Sequence, residues 1–239
     1  MSFELHRNQE RGHLKHGWLK TAHSFSFAEY VNPLRMHFGA LLVLNEDTIS
    51  PSAGFAEHGH DNMEIVTIPL AGVLQHADSL GHQADIKTGD VQIMSAGTGI
   101  LHSEKNSSTT EPVHLLQIWV VPNEQGLKPR YDQITLDKNR TPNAFHVVVA
   151  PTPLDGALLI HQAAWFSLGT FSAATDFSLK LHQPSHGLFL FVIDGEIHIH
   201  DQVLKAGDAL AIWAEEEIWG TVTASAHLLA IEVPLNVHV

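Results

Sequence analysis

The sequence predicts an all-β protein made of two tandem β-rich modules, sandwiches or barrels, and three observations carry that expectation. Short Val/Ile/Leu/Phe-rich segments recur between Gly, Pro, Asn and Asp. No window sustains a 3.6-residue apolar period over a dozen positions. The chain also repeats a motif at about half its length. In order, the expected strands are Phe38–Leu44, Met63–Leu70, Val91–Met94, Val113–Val121, Phe145–Val149, Trp165–Phe171, Leu188–Ile193, Ala209–Trp213 and His227–Val233. Pro129–Arg140 has room for a turn or two of helix. In the repeat, Ile68 to Asp78 around Gly72 resembles Phe191 to Asp201 around Gly195, and each copy is followed by a Gly-Asp turn, Gly89-Asp90 and Gly207-Asp208. The Pro/Gly-rich stretch Pro122–Pro129 and the breaker Thr141-Pro-Asn place the boundary near 122–142.

Composition narrows the partners. Thirteen Lys+Arg against 26 Asp+Glu give a formal charge of −13, so generic phosphate neutralisation is repulsive and no direct nucleic-acid ligand is expected. The N-terminus shows no apolar signal region, and runs such as Gly39–Leu44 and Leu188–Ile193 fall far short of the roughly 18 residues a membrane helix needs, so the expected location is cytoplasmic with no membrane partner. Cysteine is absent, which leaves His and carboxylate as the strong metal donors.

Nineteen histidines generate about 1.5 His-x-His triplets by chance, and the sequence has two, so spacing alone is weak. His198-Ile-His200 alternates with Ile197 and Ile199 and reads as a solvated strand face. His58-Gly-His60 has company. The segment Gly54 to Glu64 leads into a strand, and the later His102-Ser-Glu104 repeats the i, i+2 spacing. Residues i and i+2 of a strand share a face, so two adjacent strands bring three imidazoles and a carboxylate around one point. Gln117, interrupting an apolar run, reads as a buried hydrogen-bonded residue ahead of a cavity-lining one, and Phe25, Phe27, Phe38 and Trp119 read as core ahead of substrate contacts. Gly97 and Gly99 suit a turn with positive φ.

The pattern Gly…His-x-His…Glu…Gly followed by Gly-x5-Ser-x-Gly…His…Asn resembles the two motifs of cupins, with Ser95 where proline is usual. More closely, Glu10-Arg-Gly-His-Leu-Lys-His-Gly-Trp-Leu19, His23-Ser-Phe-Ser-Phe27, Gly54 to Ile65 and Ile93-Met-Ser-Ala-Gly-Thr-Gly-Ile-Leu-His-Ser-Glu104 resemble the pirin family across roughly residues 10–132. That resemblance implies a bicupin: two tandem jelly-roll-type β-barrels, with 1–132 as the metal-binding module and 133–239 as a second module that has lost its site. It implies one divalent metal, usually iron, with nickel, copper, manganese and zinc also suited to the donors. The family ligands fall on His58, His60, His102 and Glu104. General cupin logic would instead give the carboxylate to Glu64. Glu104 is favoured because its relation to His102 mirrors the first pair, which leaves Glu64 as a supporting residue or a solvated strand charge.

The second module offers His182 and His186, then Trp219-Gly220 where a donor would be needed. The resemblance further implies opening of the ring of quercetin or a related flavonol by O2 as a 2,3-dioxygenase, releasing carbon monoxide, with Glu104 removing or holding the proton of the 3-hydroxyl. Two other readings stand beside it: a metal-dependent regulatory module that binds a protein partner without turnover, and a cupin isomerase or lyase that needs no O2. Two barrels packed as a dimer of barrels would leave the chain a monomer.

Overall fold

The computed structural model describes residues 2–237. Its strands are β1 (Ser2–His6), β2 (Gly12–His16), β3 (Leu19–His23), β4 (Leu41–Ile49), β5 (Gly54–His60), β6 (Glu64–Ala71), β7 (Val73–Asp78), β8 (Gln83–Lys87), β9 (Asp90–Ser95), β10 (Ile100–Asn106), β11 (Val113–Val120) and β12 (Arg130–Thr135). They continue through β13 (Phe145–Ala150), β14 (Leu158–Leu159), β15 (Trp165–Phe171), β16 (Thr175–Lys180), β17 (His186–Ile199), β18 (Gln202–Lys205), β19 (Ala209–Trp213) and β20 (Glu217–Pro234). Among the described residues the helical structure is one 3-10 turn, Asn8–Glu10, and no helix is long and apolar enough to cross a membrane. The helix allowed for at Pro129–Arg140 is a strand instead: Arg130 to Thr135 pairs antiparallel with β9, whose open edge supplies the hydrogen bonds a short helix would lack.

The first barrel has two walls. One is a seven-stranded sheet in the order β12-β9-β6-β11-β4-β3-β2, and the other is four-stranded, β5-β10-β7-β8. In the second barrel the long strands β17 and β20 run through both walls, so one nine-stranded sheet, β1-β19-β17-β20-β15-β13-β14 with β16 and β18 alongside, makes the whole module. The outermost strands do not follow chain order: β1, at the start, pairs with β19 of the second barrel, and β12, which spans residue 132, closes the edge of the first.

The repeat in the sequence is a repeat in structure. Gly72 and Gly195 adopt φ of +80° and +88°, and a Cβ at either would press on a backbone carbonyl, that of Pro112 or Ser225. In each Lys-x-Gly-Asp turn, the Asp carboxylate accepts the Lys backbone N–H, Asp90 from Lys87 at 2.8 Å and Asp208 from Lys205 at 3.1 Å.

Strand alternation sends the two faces of each large sheet to different cores. Leu44, Val66, Ile93 and Ile118 of the first module pack against Phe166, Phe189 and Ile231 of the second, forming a core between the barrels. Each such side chain, fully buried, contributes about 1.5–3 kcal/mol. Phe25 (1% exposed) and Phe38 belong to this core through Phe189. The opposite faces line the barrel interiors. In the second barrel that lining is Phe171, Phe177, Leu188, Leu190, Val192 and their neighbours.

Candidate metal centre

β5 and β10 pair antiparallel with His58 directly opposite His102 and His60 opposite Ile100. Inward positions on β10 are Ile100, His102, Glu104 and Asn106, all buried. Between His102 and Glu104 the register shifts, and Gly54 permits the close approach there, because a Cβ would strike the Glu104 carbonyl. A bulge of this kind re-aims side chains along one strand.

The three histidines converge. His102 Nε2 stands 3.0 Å from His58 Nε2 and 3.0 Å from His60 Nε2, and together they form the one group of three or more such donors, among the described residues, whose ligand atoms all lie within 4.8 Å of one another. His58 Nδ1 donates to the Ala56 carbonyl at 2.8 Å, which fixes the ring with its Nε2 turned toward the cluster. Burial, reinforced by His58, pushes the pKa of His60 down to about 4 and that of His102 down to about 3, so both imidazoles are neutral at pH 7. Imidazole nitrogens 3.0 Å apart share either a proton, as an N–H···N hydrogen bond, or a cation bound by both. Two metal–nitrogen bonds of about 2.1 Å at right angles span about 3.0 Å, so the donor set fits a divalent ion.

Glu104 is the next inward residue on β10 but lies outside the three-histidine cluster. Its carboxylate is held by Gln117, whose amide donates to both oxygens at 3.1 and 3.0 Å, while the Gln117 carbonyl accepts the Thr67 hydroxyl at 2.9 Å. Thr67 thereby fixes which end of the amide faces the carboxylate. Burial raises the Glu104 pKa to about 7 against the opposing effect of the Gln117 amide.

Glu64 occupies a different face. It shares parity with Val66 and Ile68, which line the core between the barrels, and its carboxylate accepts Ser95 Oγ at 3.0 Å and the His161 backbone N–H at 3.2 Å. It is 1% exposed, so it is no solvated strand charge, and its pKa is raised by burial to about 7. The parity counted from His60 does not survive residues 61–63, where Asn62 turns with φ of +46°.

Aromatic rings flank the cluster. Trp119 lies edge-on to His60 at 4.8 Å with Phe27 behind it at 5.3 Å, and Phe55 lies 6.3 Å from His58 with Trp18 behind it. Trp119 and Phe27, expected as plain core, are therefore part of the site's wall. Behind His102 sits a group that sequence reasoning missed. His76 (1% exposed) packs 5.3 Å from the His102 ring and donates Nε2–H to Asp78 at 3.2 Å. Asp78 also accepts His82 Nδ1 at 3.0 Å, and the Tyr131 ring covers both imidazoles. The signal was His76-x-Asp78, the same i, i+2 spacing on a strand paired with β10.

The second barrel places its residues otherwise. His198 and His200 are exposed, as the alternation predicts. His182 stacks on Trp165 at 4.5 Å and bonds Glu232 at 2.8 Å, with His186 3.4 Å from the same carboxylate. Trp219 points outward at 63% exposure, while a Cβ on Gly220 would strike the Phe177 ring inside.

Comparison with known proteins agrees with this geometry. The family model described as Pirin matches residues 4–120, and that of the quercetinase C-terminal cupin domain matches residues 147–233. A quercetin 2,3-dioxygenase of Escherichia coli strain K12 is 39% identical over 232 residues, covering 96% of this chain and 98% of its own. A putative quercetin 2,3-dioxygenase of Pseudomonas aeruginosa is 35% identical over 223 residues, covering 93% and 95%. The crystal structure of Escherichia coli YhhW superposes with a TM-score of 0.94 at 37% identity, covering 100% of both chains. The bacterial pirin YhhW in complex with nickel(II) gives 0.93 at 36% identity, covering 98% of this chain and 100% of that one. With two cupin domains and relatives matched along nearly their whole length, this chain belongs to the pirin family.

Proposed function

We propose that the protein is a metal-dependent dioxygenase that opens the ring of quercetin or a related flavonol with O2. The observation that carries the reading is the convergence of three imidazoles, with His102 Nε2 3.0 Å from both His58 Nε2 and His60 Nε2, at the mouth of a barrel whose interior wall is polar. The names borne by the relatives point the same way. His58, His60 and His102 hold one divalent ion, with Glu104 as the fourth donor; iron is our assignment, and nickel, copper, manganese and zinc suit the same donors. The site belongs to the module of residues 1–132, and the module of 133–239 holds none.

Bound there, the ion supplies Lewis acidity and a common template for substrate oxygen and O2. The chain's own residues do the rest. Trp119 and Phe55 offer ring faces and edges on opposite sides of the cluster for a planar aromatic ligand. Glu104 takes the proton of the flavonol 3-hydroxyl. Shielded from water and oriented by the Gln117 amide, this carboxylate is placed to accept a proton from a hydroxyl brought beside it. Gln117 keeps both carboxylate oxygens oriented while the proton is held. The surrounding hydrocarbon, Ile65, Met94, Ala96 and Ile100 with Trp119 against them, excludes water from the reacting ring. The chain acts as a monomer in the cytoplasm.

The test is loss of the flavonol absorption band with matched O2 uptake and carbon monoxide release, for metal-loaded wild type and His58→Ala. Wild type is expected to turn over and the variant to fall to background. If wild type consumes no more O2 than the variant with every flavonol tried, the dioxygenase reading gives way to a regulatory, partner-binding one.

A further inference from the structure

A cavity larger than the one His60 lines lies between the two barrels. It has a volume of about 850 Å³, and its walls come from the outer face of β6, the β8–β9 turn, the connector 136–142, and β15, β17 and β20. None of the three clustered histidines lines it. Clefts of this size at module interfaces hold small molecules.

Its floor is aliphatic: Ile68, Leu70, Leu136, Leu168 and Ile193. Its rim carries charge of an unusual kind for this chain. Arg7, Arg11, Arg35 and Arg130 are ion-paired with Asp208, Glu46, Glu10 and Asp132. Arg140, the fifth arginine, has no carboxylate partner among the described residues, in a protein with twice as many acids as bases. Its guanidinium reaches only the Gly156 carbonyl, at 3.4 Å, although the side chain is half-buried. Lys138, two residues earlier on the same rim, likewise has no ion pair among the described residues.

Among the described residues no acid around the cavity closes an ion pair with Arg140, and Asp137 acts on it only through space. Asp90 spends its oxygens on Thr135, Gln133 and the Lys87 N–H. Asp137 and Asp194 are exposed, and Asp137 accepts the Asn139 backbone N–H at 2.9 Å. A half-buried guanidinium loses part of its hydration and gains most from a bidentate anion that enters the same cleft. His227, also lining the cavity, is kept neutral by burial and adds a hydrogen-bonding imidazole.

We propose that this cleft is a second binding site, for an amphipathic carboxylate whose hydrocarbon body lies on the aliphatic floor and whose carboxylate is gripped by Arg140 with Lys138 beside it. The site is independent of the metal centre, and so of the dioxygenase reading.

Titration calorimetry of the full metal-loaded chain with decanoate and with decanol tests it, for wild type, Arg140→Gln, Lys138→Gln and His58→Ala. Wild type is expected to bind one decanoate saturably. Affinity should fall about tenfold or more in Arg140→Gln, less in Lys138→Gln, and not at all in His58→Ala. Decanol should bind about as weakly to wild type as decanoate binds to Arg140→Gln. Thermal melts of the variants establish that they are folded. The proposal is overturned if wild type shows no saturable decanoate binding, if a folded Arg140→Gln binds as wild type does, if decanol binds as tightly as decanoate, or if His58→Ala abolishes binding.

Discussion

Midway up each barrel, six strands lay side chains directly opposite one another across the large sheet, all facing inward. In the first barrel the row reads Gln133, Gln92, Thr67, Gln117, Asn45 and His23. In the second it reads Leu5, Leu210, Leu190, Ala230, Ser167 and Val147. The internal repeat matches them position for position where it is clearest. Thr67 and Leu190 each stand five residues before the repeat glycines 72 and 195, and Gln92 and Leu210 each stand two after Asp90 and Asp208. One backbone thus carries a polar belt in one copy and, Ser167 apart, hydrocarbon in the other. A row of buried amides costs stability unless every group finds a partner, so it persists where something needs it. In the first barrel it holds Glu104 beside the histidines. In the second, Phe177 and Ile218 are packed into a buried apolar interior.

The largest expected consequence is in metal binding. Glu104→Gln should weaken the affinity for a given divalent ion about tenfold or more, while Glu64→Gln, on the face toward the second barrel, should change it less than about twofold, both by calorimetry. A Glu64→Gln loss exceeding that of Glu104→Gln would move the fourth donor to the other face of the sheet. Exchanging row residues should come next. Ala230→Gln puts an unpartnered amide and extra volume into the filled barrel and should cost about 3 kcal/mol in denaturant unfolding. Gln117→Leu, which strips a buried carboxylate of its donor, should cost about 1–3 kcal/mol, and Thr67→Val about 1 kcal/mol. If Ala230→Gln proves neutral, the second interior is not the packed one described.

The smallest effect is one of pH. A carboxyl whose folded pKa lies above its unfolded value stabilises the fold while protonated. The Glu64 contribution is therefore fully present below its ordinary value of 4.5 and is lost as pH rises through about 7. Relative to wild type, Glu64→Gln should gain stability as pH rises across that window in thermal melts. A difference independent of pH would mean that Glu64 is not buried against His161.

Much of this was legible from residues alone. Strand alternation, the two repeat glycines and the Lys-x-Gly-Asp turns are local properties, and they carried over to the fold. The convergence of His58, His60 and His102 was legible because i, i+2 spacing survives inside an unbroken strand. Glu64 was misjudged, as either a residue at the site or a solvated charge, because a left-handed turn at Asn62 resets the face and turns follow no period. Trp119 was assigned to the core because burial and position at a site look alike in a sequence. The Gln117–Thr67 clamp depends on register between β11 and β6, a nonlocal fact. The exchange of edge strands β1 and β12 is of the same kind.

Metal stoichiometry tests the contrast between the barrels most directly. Elemental analysis of the fully loaded and desalted chain should give one divalent ion per molecule for wild type, one for the double variant His182→Ala/His186→Ala, and none for His58→Ala/His102→Ala. Two tightly held ions per wild-type chain, or one retained after His58 and His102 are both removed, would contradict the account.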